Sequence, residues 1–251
     1  MAGRRSFRSS RAFLIRAADM GETDRRLTFF TESAGAVTVV AKAAHRSRKR
    51  FGGVLQKYFL LDLSWSEEQR KLSILTSASI LEVFWDILAN WERVRYADYL
   101  MELVSAIFPQ AGPKPKAFAF LLAGIRSLSA GEFPVSVGRK MEVAFLATGG
   151  WGPDLSACGK CGKTEGRFFR FAVAEGKLYC EACAEKRDGL LSLGAVRTLR
   201  ALQTSTPSTI GRVRISENIL MELQAVIPRY LEWNFGKAFR SLRIESTGRK
   251  P

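Results

Sequence analysis

Residues 158–183, CGKCGKTEGRFFRFAVAEGKLYCEAC, contain every cysteine of the 251-residue chain. The cysteines form two Cys-x-x-Cys pairs with eighteen residues between them, a spacing typical of zinc sites. Each tight turn can present two thiolates to one ion, and two such turns complete a tetrahedron without an open coordination position. The sequence therefore predicts one structural zinc ion that is held by Cys158, Cys161, Cys180 and Cys183.

Three other uses of the thiols remain open: two disulfides, a thioredoxin-like redox pair, or no special role. Disulfides are disfavoured because the N-terminus carries no recognisable export signal. Its apolar stretch, residues 12–15, is interrupted by Arg16, whereas an export signal needs about seven or more apolar residues. We therefore expect a reducing compartment, and an organellar transit peptide is a minor alternative.

The residues between the cysteine pairs are typical of a β-hairpin. RFFRFAV and KLYC have the composition of strands, and Ala-Glu-Gly at 174–176 supplies the turn. Such a hairpin would return the second pair to the first. We therefore expect a zinc ribbon at about residues 155–187.

Upstream of the ribbon, residues 11–78 have the composition of a small β-barrel. Five segments are rich in β-branched and aromatic residues, and several alternate in polarity: RAFLIRA, RRLTFFT, GAVTVVAK, LQKYFLLDLSWS and KLSILTS. Five antiparallel strands in about seventy residues are typical of a barrel such as the OB-fold.

From Ile80 the apolar spacing becomes helical. Helices are predicted in LEVFWDILANWERVRYADYLMELVSAIF, AFAFLLAGIRSL, VGRKMEVAFLAT and LSLGAVRTLRALQ, and from Ser216 to Leu242, where Pro228 should kink or split the helix. The predicted fold class is α+β multidomain: an N-terminal OB-fold-type β-barrel followed by an α-helical domain with an inserted zinc ribbon. The expected bounds are 1–11 for a basic N-terminal extension, 12–79 for the barrel and 80–251 for the helical domain.

The charge of the chain points to a polyanionic partner. Lys and Arg number 39 against 24 Asp and Glu, which gives a net charge of +15. Nucleic acid is the first candidate partner, an anionic membrane the second and an acidic protein the third. No apolar run approaches eighteen residues, so no membrane span is expected.

The densest positive charge is HRSRKR at 45–50, in a loop between the third and fourth predicted strands. Contact with phosphates is the functional interpretation, and a solvated loop is the alternative. The predicted DNA-binding residues are cations of this loop and its neighbours: Arg25, Arg26, Lys42, Arg46, Arg48, Lys49, Arg50 and Lys57.

Two further groups of residues could contact nucleic acid. Four arginines near the N-terminus could form a flexible arm: Arg4, Arg5, Arg8 and Arg11. Four aromatic residues could stack on bases: Phe29, Phe51, Tyr58 and Phe59. Burial in the barrel core is the more common use of such aromatic residues.

Residue patterns that would indicate an enzyme are missing from the sequence. There is no Gly-x-x-x-x-Gly-Lys-Ser/Thr loop for ATP, and His45 is the only histidine. The carboxylates are scattered rather than grouped as a two-metal nuclease requires. We therefore predict a protein that is not an enzyme.

The order of these segments resembles the RecO family of bacterial DNA repair and recombination mediators. The opening FLIRAADMGETDRRLTFFTESAGAVTVVAKAAHRSRKRFGG is similar to the first part of that family. EVAFLATGGWGPDLSACGKCG looks like its helix, its Gly-aromatic-x-Pro-x-Leu segment and its first cysteine pair, and YLEWNFGKAFRSLRI looks like its closing helix. The matching segments span about residues 12 to 245.

The resemblance implies a cytoplasmic, nucleoid-associated bacterial protein that binds single- and double-stranded DNA. It also implies ATP-independent annealing of complementary strands and partnership with RecR, with which the family helps RecA replace single-stranded-DNA-binding protein. The four cysteines carry over as zinc ligands, whereas the DNA contacts carry over only as a basic face. The alternatives are an RNA-binding zinc-ribbon protein of transcription or translation, and a DNA-processing enzyme such as a nuclease.

Overall fold

In the computed structural model, the described residues are 6–44, 51, 53–67, 72–109, 111–184, 189–236, 239 and 241. The first five strands form a closed barrel in the order β1-β2-β3-β5-β4. They are β1 (Ser6–Met20), β2 (Asp24–Thr31), β3 (Gly35–Ala41), β4 (Phe59–Glu67) and β5 (Ser73–Val83). This closed barrel confirms the predicted N-terminal OB-fold-type domain.

The barrel differs from the sequence prediction in the direction of one strand pair and in the length of its last strand. β3 and β5 pair in parallel, through Val39 with Ser73 and Val40 with Ile74, so the strands are not all antiparallel. β5 also continues to Val83, because Glu82 and Val83 still pair with β4. The prediction that Ile80 begins the helical region was therefore wrong, since a strand partner outweighs a weak helical periodicity.

β1 begins within the segment that we expected to be a basic extension. Arg8 forms an ion pair with Glu67 on β4 at 2.9 Å. Arg11 donates two hydrogen bonds to Glu32, at 2.8 and 2.6 Å. Strand pairing thus places Arg8 and Arg11 on the barrel wall and not in a flexible arm, whereas Arg4 and Arg5 lie outside the described residues.

The helical domain contains six α-helices among the described residues: α1 (Trp85–Leu88), α2 (Trp91–Ile107), α3 (Pro115–Ser129), α4 (Pro134–Gly149), α5 (Leu193–Thr204) and α6 (Glu217–Phe235). α6 contains Pro228 and is not split by it. It ends at Gly236, whose φ of 62° suits a left-handed C-terminal cap. Nowhere in the described part of the chain is a helix both long and apolar enough for a membrane span.

A second sheet lies between α4 and α5 in the sequence, with the strand order β6-β8-β7-β9. Its strands are β6 (Asp154–Cys158), β7 (Phe168–Ala172), β8 (Lys177–Cys180) and β9 (Gly189–Ser192). The β7–β8 hairpin confirms the predicted pair of strands, and β6 and β9 extend it on either side. Gly176 is required in its turn because its φ is 63° and a Cβ there would lie 2.8 Å from the Tyr230 hydroxyl.

One hydrophobic core joins the barrel to the helices. Phe13 and Phe30 point away from the barrel interior, and their rings lie 5.7 and 6.4 Å from the ring of Phe118 on α3. The same cluster of buried residues continues through the helices to Phe169 and Leu178 of the second sheet. The barrel has a separate interior core around Leu27, Phe29 and Trp65.

A buried polar group lies within this core. Tyr99 of α2 donates a hydrogen bond to Glu142 of α4, and Arg139 pairs with the same carboxylate oxygen. All three side chains are buried. Burial raises the pKa of Glu142 to about 7, although Arg139 and Tyr99 act to lower it, and burial raises the pKa of Tyr99 well above 10. Glu142 therefore takes up a proton at a higher pH in the folded protein than in the unfolded chain.

This difference predicts a pH dependence of stability. Between about pH 4.5 and 7 the folded state binds more protons than the unfolded state, so the Glu142 contribution to the free energy of unfolding falls as the pH rises. The slope should approach about 1.4 kcal/mol per pH unit within that window. Urea unfolding of the wild type and of Glu142→Gln at several pH values measures this slope, because the glutamine of the variant does not titrate. A difference between the two proteins that is constant with pH would contradict the assignment.

Candidate metal centre and nucleic-acid surface

The four cysteines meet at one point of the second sheet. Their sulfur atoms all lie within 4.8 Å of one another, and the Sγ atoms of Cys161 and Cys180 are 3.7 Å apart. A tetrahedral zinc ion with Zn–S bonds of about 2.3 Å requires sulfur separations of about 3.8 Å. The 3.7 Å separation is also far longer than the S–S bond of about 2.05 Å in a disulfide, and all four cysteines are free.

The backbone positions each pair at the end of a strand. β6 ends at Cys158, whose carbonyl accepts a hydrogen bond from Gly162 N–H at 2.9 Å and whose N–H donates to Lys163 O at 2.8 Å. Gly162 has a φ of 74°, which the first turn requires. β8 ends at Cys180, whose carbonyl accepts from the N–H groups of Cys183 and Ala184. Each pair thus forms a tight turn that directs its sulfurs to a common centre.

The parallel pairing of β6 with β8 brings the two turns together. Gly159 N–H donates to Leu178 O at 2.8 Å, directly beside the first pair. Cys158 pairs with Leu178 in the register of the sheet. The hairpin alone, which the sequence predicted, would not fix this approach, because the first cysteine pair belongs to neither strand of the hairpin.

The electrostatics of the centre suit a cation. Burial raises the pKa of Cys158, but backbone N–H groups of Cys161, Cys180 and Lys160 outweigh it and lower the pKa to about 6. Hydrogen bonding to the sulfurs of Cys180 and Cys161 raises the pKa of Cys183 to about 12, because four neighbouring sulfurs cannot all be anionic without a counter-charge. A divalent ion would supply that charge. The site can hold a metal ion, and its four-sulfur donor set is compatible with zinc.

Three of the predicted DNA-binding residues lie together at one end of the barrel. Arg25 and Arg26 begin β2, opposite Ala41 and Val40 of β3, and Lys42 follows β3 directly. Arg26 and Lys42 are exposed, whereas Arg25 is half-buried and lies 3.4 Å from Asp19. The structure thus brings these three cations to one edge, where the predicted basic loop also begins.

The remaining predicted contacts are placed differently. Lys57 forms an ion pair with Asp98 of α2 at 2.8 Å, and the Tyr58 hydroxyl donates to the same carboxylate. Lys57 therefore lies at the junction of the barrel with the helices. The residues Arg46, Arg48, Lys49 and Arg50 lie outside the described residues.

The four aromatic residues considered for base stacking are buried, with 6% or less of each accessible: Phe29, Phe51, Tyr58 and Phe59. The structure therefore supports the core interpretation for all four. Arg16, which was not among the predicted contacts, is exposed on β1 and lines a shallow depression with Lys57. Its sequence signal is the charged residue that interrupts the apolar 12–15 stretch.

Polar side chains continue from the cations along the outer face of β2 and β3. Thr28 and Thr38 lie directly opposite each other, with their hydroxyl oxygens 3.0 Å apart. Thr38 is exposed and Thr28 half-buried. In OB-folds this strand 2–3 face commonly binds oligonucleotides. We name Arg26, Lys42, Thr28 and Thr38, together with the half-buried Arg25 at the adjacent end of the barrel, the β2–β3 surface.

The chain is thus a multidomain protein in which an OB-type barrel, a fold that binds oligonucleotides or oligosaccharides in many proteins, shares a core with a helical domain and a four-cysteine ribbon. Comparison with family models makes this specific. "Recombination protein O N terminal" matches residues 6–84 and "Recombination protein O C terminal" matches residues 88–243. The chain belongs to the RecO family of DNA repair and recombination proteins, which confirms the resemblance seen in the sequence.

Similar proteins extend over nearly the whole chain. The "DNA repair protein RecO" of Acetivibrio thermocellus is 27% identical over 241 residues, which cover 93% of this chain and 94% of that protein. That of Pelobacter propionicus is 28% identical, with 93% and 94% covered. That of Anaeromyxobacter sp. (strain K) is 30% identical, with 92% of each chain covered.

Proposed function

We propose that this chain is a non-enzymatic recombination mediator that binds single- and double-stranded DNA and anneals complementary strands without ATP. The observation that carries the proposal is the β2–β3 surface, a polar face of an OB-type barrel on which Arg26, Thr38 and Lys42 are exposed. Cations there would hold the phosphate backbone and displace its counterions. Two strands whose charge is screened in this way can approach each other and pair.

The cations beyond the described residues extend the proposal. Arg46, Arg48, Lys49 and Arg50 follow Lys42 closely in the sequence and are proposed as further phosphate contacts. Lys57 is proposed as a weaker contact, because Asp98 already neutralises it. Direct stacking on Phe29 or Phe59 has no part in the proposal, since both rings are buried.

The other parts of the chain are proposed to serve this activity. Zinc bound by Cys158, Cys161, Cys180 and Cys183 would hold the ribbon together without acting on DNA chemically. The helical domain would present surfaces to RecR and single-stranded-DNA-binding protein, and RecA would be assisted indirectly. Family membership supports these partners, together with a site of action at the nucleoid in the bacterial cytoplasm.

Annealing without ATP is the direct test of the proposed function. Complementary oligonucleotides coated with their cognate single-stranded-DNA-binding protein should pair faster when the chain is added, and to the same extent with or without ATP. Gel analysis with Mg²⁺ should show intact strands, because the carboxylates in the sequence are not grouped as a two-metal nuclease requires. An absolute need for ATP, cleavage of the strands, or preference for RNA in competition would contradict the proposal.

The salt dependence of binding tests the β2–β3 surface itself. Each cation that contacts a single strand contributes about −0.7 to the slope of log affinity against log salt. Replacing Arg25, Arg26 and Lys42 with alanine should flatten the slope by about two units and weaken binding alike on all sequences. The control replaces three exposed arginines of the helical domain: Arg197, Arg212 and Arg229. Equal losses in both triple variants would show that binding follows net charge and not this surface.

A further inference from the structure

A stripe of exposed apolar side chains crosses the junction between the barrel and the helical domain. Its members are Leu81, Trp85, Leu88 and Trp91, of which 52%, 63%, 53% and 61% is accessible. Scattered single apolar residues are common on protein surfaces, but four large ones within eleven residues are not. We name these four residues the Trp85 stripe.

The stripe is held by a well-packed base. Phe84 and Ile87, which alternate with its members, are buried at 4% and 0% accessible. The Trp85 ring makes an edge contact with the buried Phe59, with centroids 5.2 Å apart. Leu81 occupies an irregularity in β5, where Glu82 pairs with Leu60 but Ile80 pairs with Leu61. The Trp85 ring is therefore held by the fold before any partner binds, which lowers the entropic cost of binding.

The turn between α1 and α2 continues the stripe to Trp91. Leu88 lies three residues after Trp85 in α1, on the same side of the helix. Asn90 caps α2, since its side chain accepts a hydrogen bond from Arg93 N–H at 3.1 Å. This cap fixes Trp91 as the first residue of α2.

The charge around the stripe is negative in a chain that is strongly positive elsewhere. Residues 80–92 contain Glu82, Asp86 and Glu92 but no Lys or Arg. Two described cations border it: Arg126 forms an ion pair with Glu82 at 2.6 Å, and Arg93 donates a hydrogen bond to the backbone carbonyl of Asp86, which leaves the Arg93 charge in place. Asp86 and Glu92 are exposed. Three acids against these two cations leave the patch negative by one charge, which does not attract a phosphate backbone, and a second copy docked through the same patch would place acid against acid.

From these observations we propose that the Trp85 stripe is the docking site for a partner protein, through an amphipathic segment that presents leucine-like side chains among Lys or Arg residues. The apolar side chains of that segment would cover the two tryptophans, and its cations would face Asp86 and Glu92. Exposed, preorganised tryptophans are the residue type that most often dominates binding energy at protein interfaces. This proposal does not depend on DNA binding by the β2–β3 surface.

The test uses the full-length, metal-bound protein and two labelled synthetic helices of about fifteen residues. Both carry leucines at helical spacing; one has lysines at the remaining positions and the other has glutamates. In fluorescence anisotropy the lysine peptide should bind at least about tenfold more tightly than the glutamate peptide. Trp85→Ala with Trp91→Ala should weaken its binding at least about tenfold. Asp86→Lys with Glu92→Lys should reverse the preference between the two peptides.

Trp233→Ala is the matched control, because Trp233 on α6 is 63% exposed and lies in another part of the helical domain. It should leave peptide affinity within about twofold.

Equal losses in both tryptophan variants, or no preference for the lysine peptide, would overturn the proposal. Loss of oligonucleotide binding in Trp85→Ala with Trp91→Ala would assign the stripe to nucleic acid instead, and dissolution of a dimer would assign it to a second copy. If Trp85→Ala lowers the melting temperature, the double variant Leu88→Ser with Trp91→Ala is used instead. Unchanged binding of the lysine peptide by that variant would overturn the proposal.

Discussion

Replacing Cys180 with alanine is expected to remove zinc from the protein and to unfold the ribbon. Cys180 is buried at the end of β8 and is one of four sulfurs that lie within 4.8 Å of one another. Structural zinc contributes about 10–16 kcal/mol to the folding of small zinc-finger peptides at pH 7, so a loss of several kcal/mol should follow here. Atomic emission should fall from close to one zinc per chain to nearly none.

The effect should extend beyond the ribbon. Phe169, Phe171 and Leu178 of its sheet belong to the same buried cluster as α5 and α6. Loss of the metal should therefore reduce hydrogen-exchange protection in those helices as well. Lys160→Ala is the matched control, because Lys160 lies between Cys158 and Cys161 but its side chain is exposed. A wild-type protein that lacks zinc and melts like the metal-bound form would refute the assignment.

Phe118→Ala should destabilise the protein by about 3–5 kcal/mol, the usual cost of removing a buried phenylalanine ring. Phe118 is fully buried on α3, and its ring contacts Phe13 of β1 and Phe30 of β2. The Arg11 guanidinium also lies 5.7 Å from the ring centre. The ring thus joins the barrel to the helices, and its loss leaves a cavity between them.

Hydrogen exchange distinguishes this coupling from a local defect. In Phe118→Ala, protection should fall on both sides of the junction, in β1 and β2 as well as in α3. Phe133→Ala is the matched control, because that ring is 58% exposed and its removal should change the free energy of unfolding by no more than about 0.5 kcal/mol. Loss of protection confined to α3 would show that Phe118 packs only within the helical domain.

Features that depend on local chemistry could be predicted from the sequence. The spacing of the four cysteines predicted a metal site, because each tight turn that presents a pair of thiolates forms from only a few neighbouring residues. The alternation of the first segments determined the barrel strands, and the proline and glycine residues placed the ends of the later helices. The Gly162 and Gly176 turns could also be expected, since few other residues adopt a positive φ.

The pairing of residues that are distant in the sequence could not be predicted and is seen only in the folded chain. β6 reaches β8 across the ribbon, Arg11 reaches Glu32, and Lys57 reaches Asp98, forty-one residues away. Each pairing replaces water around a charge or an N–H group with a partner that no local pattern specifies. The same competition kept Ile80–Val83 in a strand, because β4 satisfied their backbone groups. Whether a cation faces a polyanion or an internal carboxylate therefore depends on which strands and helices become neighbours, and only the folded chain determines that.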